Sequence, residues 1–440
     1  MSKEINGFSK LSKEEKINWI VDNFFTDTVM AKSVLKQYWN EDDKLQKLHD
    51  EFSENTLSNF YLPFSIAPNF LINGKKYSIP MVIEESSVIA AASKSAKLWS
   101  DLGGFKAKVI SKIKTGQVHF TFTGDKQAIS SYFNYIKPIL IQDTESITTN
   151  MKKRGGGIID ILLIDKTFDM KGYYQISVSF DTIDAMGANF INSCLEQISK
   201  SFKDKTDIFK DCIIKSNDIK IIMNIVSNYV PDCLVKAEVS CKVKKLNKKE
   251  DFNGYCEKFV QAVKIAELDT YRAVTHNKGI MNGIDAIAVA TGNDFRAIEA
   301  GIHAYASKDG KYRSLTHAKI ENGVFRFSIE IPLALGTIGG ITNLHPLVKL
   351  ALNMLDDPNA EELMEITAAV GLAQNYGALR SLITSGIQKG HMKMHLINIL
   401  NSLEATESEK QSAVEYFKDE IVNNNNAQSY ITKLRKSNEI

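Results

Sequence analysis

Between Gly116 and Thr123 apolar and polar positions alternate strictly, with Val118, Phe120 and Phe122 on one side and His119, Thr121 and Thr123 on the other. A period of two predicts a half-buried strand. Residues 127–153 change to a helical period, with an irregularity expected at Pro138 and a stop at Gly155, Gly156 and Gly157. Ile158–Ile164 is an unbroken apolar run, read as a buried strand. Tyr174–Phe180 alternates again. Asn189–Phe202 then spaces Ile191, Cys194, Leu195, Ile198 and Phe202 along one helical face, and Lys220–Val226 reads as a last strand. The order β-α-β-β-α-β is the ferredoxin-like pattern, so this block is expected to form a small domain inserted in a larger one.

The flanks follow a helical period. Residues 1–60 read as helical, and 255–305 and 345–420 carry Ala, Leu and Ile at helical spacing. Glycines are expected to break these helices at Gly279, Gly283, Gly336–Gly340 and Gly386. The fold class is α+β: a mostly helical large domain, the inserted ferredoxin-like small domain and a helical C-terminal flap. The boundaries expected are 1–112 and 229–385 for the large domain, 113–228 for the small one and 386–440 for the flap.

Composition narrows the classes of function. The 440 residues include 54 basic and 52 acidic ones, a net charge of +2, which gives no electrostatic footprint for nucleic acid. No apolar run is long enough to span a membrane, and MSKEINGFSKLSKEEK lacks the apolar core of a signal peptide. Five cysteines, Cys194, Cys212, Cys233, Cys241 and Cys256, are odd in number and show no CxxC spacing. The expectation is a cytoplasmic protein with neither a disulfide frame nor a zinc site.

Four segments could carry chemistry. Lys278 in THNKGIMNGID and Asp294 in ATGND lie sixteen residues apart. A lysine beside an aspartate can stabilise an oxyanion; the alternative is a solvated loop lysine and a helix-capping aspartate. In IPMVIEESS, Glu84 and Glu85 follow an apolar strand and precede an Ala-rich helix, Val88–Leu98. Adjacent strand residues face opposite ways, so one glutamate can enter a site; the alternative is a charge pair at a helix start. In GHMKMH, His391 and His395 are spaced i, i+4, which suits a metal site or a general acid. In DAMGAN (184–189), small residues after a strand let a phosphate approach a helix N-terminus; the alternative is an ordinary Asp cap with a glycine turn. There is no GxGxxG at a strand–helix junction.

Taken together these segments resemble hydroxymethylglutaryl-CoA reductase of the shorter, bacterial class. The matching stretches are PMVIEESSVIAAAS (80–93), DAMGAN (184–189), YRAVTHNKGIMNGIDAIAVATGNDFRAIEAG (271–301) and VGLAQNYGALRSLITSGIQKGHMKMH (370–395). SENTLSNFYLP (53–63), the GGF at 103–105 and GTIGGITNLHP (336–346) also fit, in family order. The chain departs at Ser86, where the family usually has Pro, and at TLSN after Glu54 and Asn55.

The resemblance implies a catalytic set of Glu85, Lys278, Asp294 and His391. It assigns Arg272, Ser87, Asn282, Glu54 and Asn55 to substrate binding, and Asp184, Met186, Gly187, Asn189, Asn228 and Thr148 to coenzyme binding. It implies a reversible four-electron reduction of hydroxymethylglutaryl-CoA to mevalonate and CoA, with NADPH preferred over NADH and no metal. Lys278 would hold the carbonyl oxygen, Glu85 would supply protons, Asp294 would bridge the two, and His391 would protonate the leaving thiolate. The family architecture implies a homodimer with its active site between subunits, in some members built into a hexamer. The other readings are a reductase of a different acyl-CoA on the same scaffold and a non-catalytic ligand-binding relative.

Overall fold

The computed structural model describes residues 4–209, 214–250, 252–384, 386, 396–418 and 420–438. The chain divides into two compact units, Met1–Pro63 and Phe64–Ile440.

The first unit holds three helices, α1 (Lys13–Phe24), α2 (Thr28–Gln37) and α3 (Asp43–Asp50). Each starts where the sequence supplies an oxygen to cap it: Ser12, in a capping box with Glu15, then Asp27 and Asp42. Ile17, Val21 and Ala31 form its small core.

The second unit opens with a hairpin, β1 (Phe64–Ile72) and β2 (Lys75–Val82). Asn73 and Gly74 turn it with φ of 50° and 86°, the left-handed pair a two-residue hairpin demands. Helix α4 (Ser86–Leu102) and β3 (Lys106–Val109) follow. The small domain then runs through β4 (Lys114–Phe122), α5 (Lys126–Asp143), α6 (Glu145–Lys153), β5 (Gly157–Asp165), β6 (Tyr173–Asp181), α7 (Ala188–Asp204) and β7 (Ile219–Val226). Its antiparallel strand order, β5-β6-β4-β7, is that of the ferredoxin-like pattern. Val118, Phe120, Phe180, Ile191, Leu195 and Ile198 are among the side chains that close its separate core. The chain re-enters the large domain with β8 (Leu234–Lys242), α8 (Val243–Glu250), α9 (Tyr255–Leu268), α10 (Thr270–Ala290), α11 (Phe295–Tyr305), β9 (Thr316–Glu321), β10 (Val324–Pro332), α12 (Pro346–Met354) and α13 (Ala360–Ile383). A second antiparallel sheet, β3-β8-β10-β9, shares the main core with α4, α9, α10 and α13. Helical segments past residue 396 bury Leu396, Leu400, Ala413, Phe417 and Ile431 in a cluster of their own.

Three expectations fail locally. Pro138 lies inside α5, and the break comes at Thr144, whose amide bonds to Gln142 and Ile141 carbonyls in place of an i−4 partner. Strand β5 is not fully buried: it is an edge strand, and Ile159 and Leu162 are exposed. Gly279 and Gly283 do not break a helix; both lie within α10. A Cβ on Gly283 would stand 2.8 Å from the Gln374 side chain and 3.2 Å from the Val370 carbonyl. The glycine lets α10 and α13 approach closely, and tertiary packing overrides its poor helix propensity.

Candidate active site

Glu85 occupies the N-cap position of α4, just past the end of β2. Glu84 is exposed and Glu85 half-buried. One Glu85 oxygen accepts a 2.5 Å hydrogen bond from the Ser87 hydroxyl. The other lies 3.5 Å from Lys278 Nζ, which is presented from α10. The fold therefore joins two of the four expected catalytic residues, with Ser87 fixing the carboxylate.

What presents Lys278 is the pair of residues before it. His276 is 1% exposed, and burial, with help from the Arg272 and His317 charges, drives its pKa down to about 3, so the ring is neutral. Its Nε2 bonds the Thr316 hydroxyl at 2.6 Å, and Asn375 Nδ2 donates to its backbone carbonyl. Asn277 donates to the Arg313 carbonyl and accepts from the Leu315 amide. The two polar residues beside Lys278 thus bolt α10 into the core, leaving the lysine on the opposite, outward face. Tyr271, Val274, Lys278 and Asn282 succeed one another along that face at helical spacing, with Tyr271 and Val274 exposed. Arg272 is half-buried, which holds its guanidinium pKa below the usual range. Among the described residues no carboxylate lies within ion-pair distance of it.

Asp294 does not join this pair within the chain. It is the N-cap of α11, accepting from the Arg296 and Ala297 amides and the Arg296 guanidinium. Burial pushes its pKa up, but the bonds from Arg296 and Ala297 outweigh this and leave it lowered. Asn293 beside it donates its amide to the Ala288 carbonyl. At about 1.5 Å per residue, ten helical residues separate that level from Lys278 by roughly 15 Å, and helical side chains lean toward the N-terminus, away from Asp294. The bridge expected from Asp294 to Glu85 and Lys278 is thus not made inside one chain. His391 and His395 lie outside the described residues.

The DAMGAN residues form a corner between the two domains. After β6, Thr182–Gly187 turns into α7, whose N-cap Gly187 has φ +88° and brings no side-chain cap. The first helical amides are accordingly left for another acceptor. A Cβ on Gly187 would lie 2.5 Å from Thr182. Asp184 accepts from the Ala360 amide with its carboxylate and from the Thr337 amide with its carbonyl, tying the corner to α13 and to the 336–338 segment. Ile183 has φ +53°, a strained conformation for a β-branched residue that costs about 1–3 kcal/mol. The Gly155–Gly157 turn abuts this corner: a Cβ on Gly156 would lie 2.5 Å from the Asp181 carbonyl and 2.9 Å from the Ile183 side chain. The basic end of α6, Lys152 to Arg154, is therefore its neighbour.

Met186 and Asn228 line a cleft with Ala297 and Ile298 of α11. Asn189 is exposed at the start of α7. Thr148 corrects an expectation. It is fully buried, and its hydroxyl donates to the Thr144 carbonyl at 3.0 Å, so it presents nothing to a ribose. The charged groups exposed on that helix and its C-cap are Glu145, paired with Lys152 at 3.3 Å, then Lys153 and Arg154. Glu54 and Asn55 are exposed in the turn after α3 of the first unit, Asn55 with φ +58°.

Sequence reasoning missed the acidic pair Asp285 and Glu299. Asp285 lies two turns beyond Lys278 on α10 and shares a hydrogen bond with Glu299 of α11. Burial, then Glu299, pushes its pKa up to about 8. An aspartate amid the apolar IDAIAVA run was the available signal. Among the described residues no cluster of three or more His, Cys, Asp or Glu could hold a metal, four cysteines are free thiols, and no helix is long and apolar enough to cross a membrane.

Comparison with known proteins identifies the family. The family model for hydroxymethylglutaryl-coenzyme A reductase matches residues 14–396. A 3-hydroxy-3-methylglutaryl-coenzyme A reductase of Archaeoglobus fulgidus is 37% identical over 418 residues, covering 94% of this chain and 91% of that protein. A probable enzyme of the same name from Borreliella burgdorferi is 32% identical, covering 96% and 91%. The solved reductase of Streptococcus pneumoniae superposes with a TM-score of 0.71 at 34% identity, covering 98% of this chain and 99% of that one. A second structure of that class II enzyme, bound to NADPH in open conformations, gives 0.70 at 34% identity, covering 86% and 99%.

Proposed function

Because the chain belongs to the hydroxymethylglutaryl-coenzyme A reductase family, we propose that it reduces hydroxymethylglutaryl-CoA to mevalonate and CoA in two hydride transfers, at a site assembled from two copies of the chain. The observation that carries the reading is the division of α10 into two half-sites. Glu85, Ser87 and Lys278 cluster on one side, while Asp294 and the Met186–Asn228 cleft lie beyond its C-terminal end. A two-fold dimer brings the half-site of one copy to the complementary half-site of the other. The exposed Tyr271 and Val274 beside Lys278 suit a face that a second copy covers. The same symmetry permits further assembly into a hexamer.

Among the described residues the half-buried Arg272 guanidinium has no carboxylate within ion-pair distance, so it suits the free carboxylate of the hydroxymethylglutaryl group; Ser87 and Asn282 are proposed as further substrate contacts. Lys278 stabilises the carbonyl oxygen as it gains negative charge. Glu85 delivers a proton to that oxygen as the thioester becomes a mevaldyl-CoA thiohemiacetal. As the thiohemiacetal collapses to mevaldehyde, its hydroxyl proton returns to Glu85 and the C–S bond breaks to expel the CoA thiolate, which His391 protonates. Lys278 and Glu85 then act again as the aldehyde becomes mevalonate. Asp294 of the second copy completes the charge balance around Lys278.

A nicotinamide coenzyme, when bound, supplies the two hydrides. The corner at Asp184, Met186, Gly187 and Asn189 fits its pyrophosphate, because the first turn of α7 offers amides that no side chain caps. Lys153 and Arg154 next to the GGG turn favour the extra phosphate of NADPH, and Lys152 neutralises Glu145. The NADPH-bound relative supports a nicotinamide coenzyme. Glu54 and Asn55 are proposed as contacts to the acyl-CoA, and 113–228 as the coenzyme domain, framed by 1–112 and 229–385 and followed by a flap, 386–440. The test is a spectrophotometric assay of the purified protein. Oxidation of two NADPH per hydroxymethylglutaryl-CoA, with mevalonate as product, is expected. NADPH oxidation driven only by another acyl-CoA would overturn the substrate assignment.

A further inference from the structure

Lys114 stands at the start of β4 and is 4% exposed. A buried ammonium loses its hydration, and burial holds its pKa below the usual lysine range. Asp181, Asp184 and Lys112 are the charged groups around it, with the Cys233 thiol, and none of them is its hydrogen-bond partner. Its partners are neutral. Nζ donates to the Thr182 hydroxyl at 2.6 Å and to the Ala185 carbonyl at 2.7 Å. The Thr182 hydroxyl in turn donates to that carbonyl at 2.6 Å, and the Ala185 amide donates to the Thr182 carbonyl at 3.0 Å. Between these clamped ends sits Ile183 in its left-handed conformation. Such a conformation persists only where the surroundings over-determine it. Two residues beyond the clamp, Gly187 opens α7.

We infer that Lys114 is the positioning residue of the coenzyme loop: it clamps the strained 182–185 turn, fixes the exit vector into α7 and places a positive charge behind the uncapped helix start. This rests on the reading that residues 184–189 receive the coenzyme. A charge there adds to the positive end of the helix, and both act on an anion such as a pyrophosphate. Lys114 touches no substrate; it acts through Thr182 and Ala185.

The test compares Lys114→Met and Thr182→Val in the full-length protein, by steady-state kinetics and by NADPH titration of intrinsic fluorescence. Each is expected to raise the NADPH KM and Kd about tenfold for Lys114→Met, and about threefold for Thr182→Val, with the hydroxymethylglutaryl-CoA KM within about twofold. A lowered melting temperature with unchanged NADPH affinity would reduce Lys114 to a structural role and overturn the inference. If Lys114→Met fails to fold, Thr182→Val decides alone. Gly187→Val separates this from the underlying reading. If it leaves NADPH affinity intact, the loop is not the coenzyme site. If it weakens binding while the Lys114 and Thr182 variants do not, only the role of Lys114 falls.

Discussion

Lys278 Nζ lies 3.5 Å from one oxygen of Glu85, while Ser87 holds the other at 2.5 Å. The carboxylate is thus gripped from both sides, and the lysine has one fixed neighbour from which substrate can draw it. Lys278→Ala is expected to lower kcat by about a hundredfold or more, as loss of a preorganised donor does, with the melting temperature unchanged. Glu85→Gln should abolish overall reduction. Glu84→Gln should be mild, because Glu84 is exposed and outside the pair. The reverse ranking of the two glutamates would refute the site as drawn.

The separation of Asp294 from that pair predicts complementation between inactive variants. Lys278→Ala and Asp294→Asn should each be inactive alone. Mixed after unfolding and refolding together, they should recover about a quarter of wild-type activity, because half the dimers are mixed and each mixed dimer keeps one of its two sites intact. Failure to recover activity in confirmed mixed dimers would place Asp294 and Lys278 in the same copy's site.

How much of this was legible depends on whether a residue's job is local. The inserted domain was, because its strands are half-buried and its helix Asn189–Phe202 is amphipathic; the periods of two and 3.6 are then written in the chain. The Asn73-Gly74 hairpin carried an equally plain signal that the periodicity reading passed over. The glycines of α10 misled, because a glycine that turns a chain and one that admits a neighbouring helix look alike until the neighbour is known. The Glu85–Lys278 pair was reachable only through the family motif, since the two residues lie on separate elements. The family resemblance gives Thr148 only as a position along a helix, and position alone does not say which face a residue takes; here it faces the core. Lys114 gave no sign of its partners, which lie about seventy residues on; Asp285 has its partner on the next helix, but nothing in the chain says that the two carboxyls face each other.

Asp285 makes stability depend on pH. Its carboxyl is pushed up to about 8 in the folded protein by burial and by Glu299, while His303 lies 3.4 Å from Glu299 and bonds Tyr312 at 2.7 Å. In the unfolded chain the same proton leaves near pH 4. Between about pH 4 and pH 8 the unfolded state therefore binds fewer protons, so this contribution is full at the acid end and is lost as pH rises. Asp285→Asn, which cannot ionise, should gain on the wild type in melting temperature by several degrees as pH is raised from about 5 to about 8.5. Parallel melting curves across that range would sink the assignment.

The contact between α10 and α13 predicts intolerance at a glycine. Gly283→Ala places a methyl 2.8 Å from Gln374 Cβ and near the Val370 carbonyl. Overpacking of this kind costs about 1–3 kcal/mol, more than the helix propensity an alanine gains. Chemical denaturation should show a lower midpoint, and an unchanged or raised midpoint would mean the two helices can part at no expense.

Coenzyme choice turns on what remains at the end of α6 once Thr148 is removed from consideration. Glu145 is the only carboxylate on that helix, and Lys152 lies 3.3 Å from it. Paired in this way, Glu145 repels a 2′-phosphate less than a bare carboxylate would. Lys153 and Arg154 follow, both exposed and both next to the glycine turn that abuts the DAMGAN corner. A guanidinium can take a phosphate in a bidentate grip and an ammonium as a point charge. The expectation is a kcat/KM higher for NADPH than for NADH. The double variant Lys153→Ala, Arg154→Ala should lose at least about tenfold of that ratio, roughly 1.4 kcal/mol, chiefly through the NADPH KM. Glu145→Ala frees Lys152 and should move the ratio further toward NADPH. A wild-type preference for NADH that Glu145→Ala abolishes would instead make Glu145 the group that accepts the ribose hydroxyls, and the ion pair with Lys152 would then have to open when coenzyme binds.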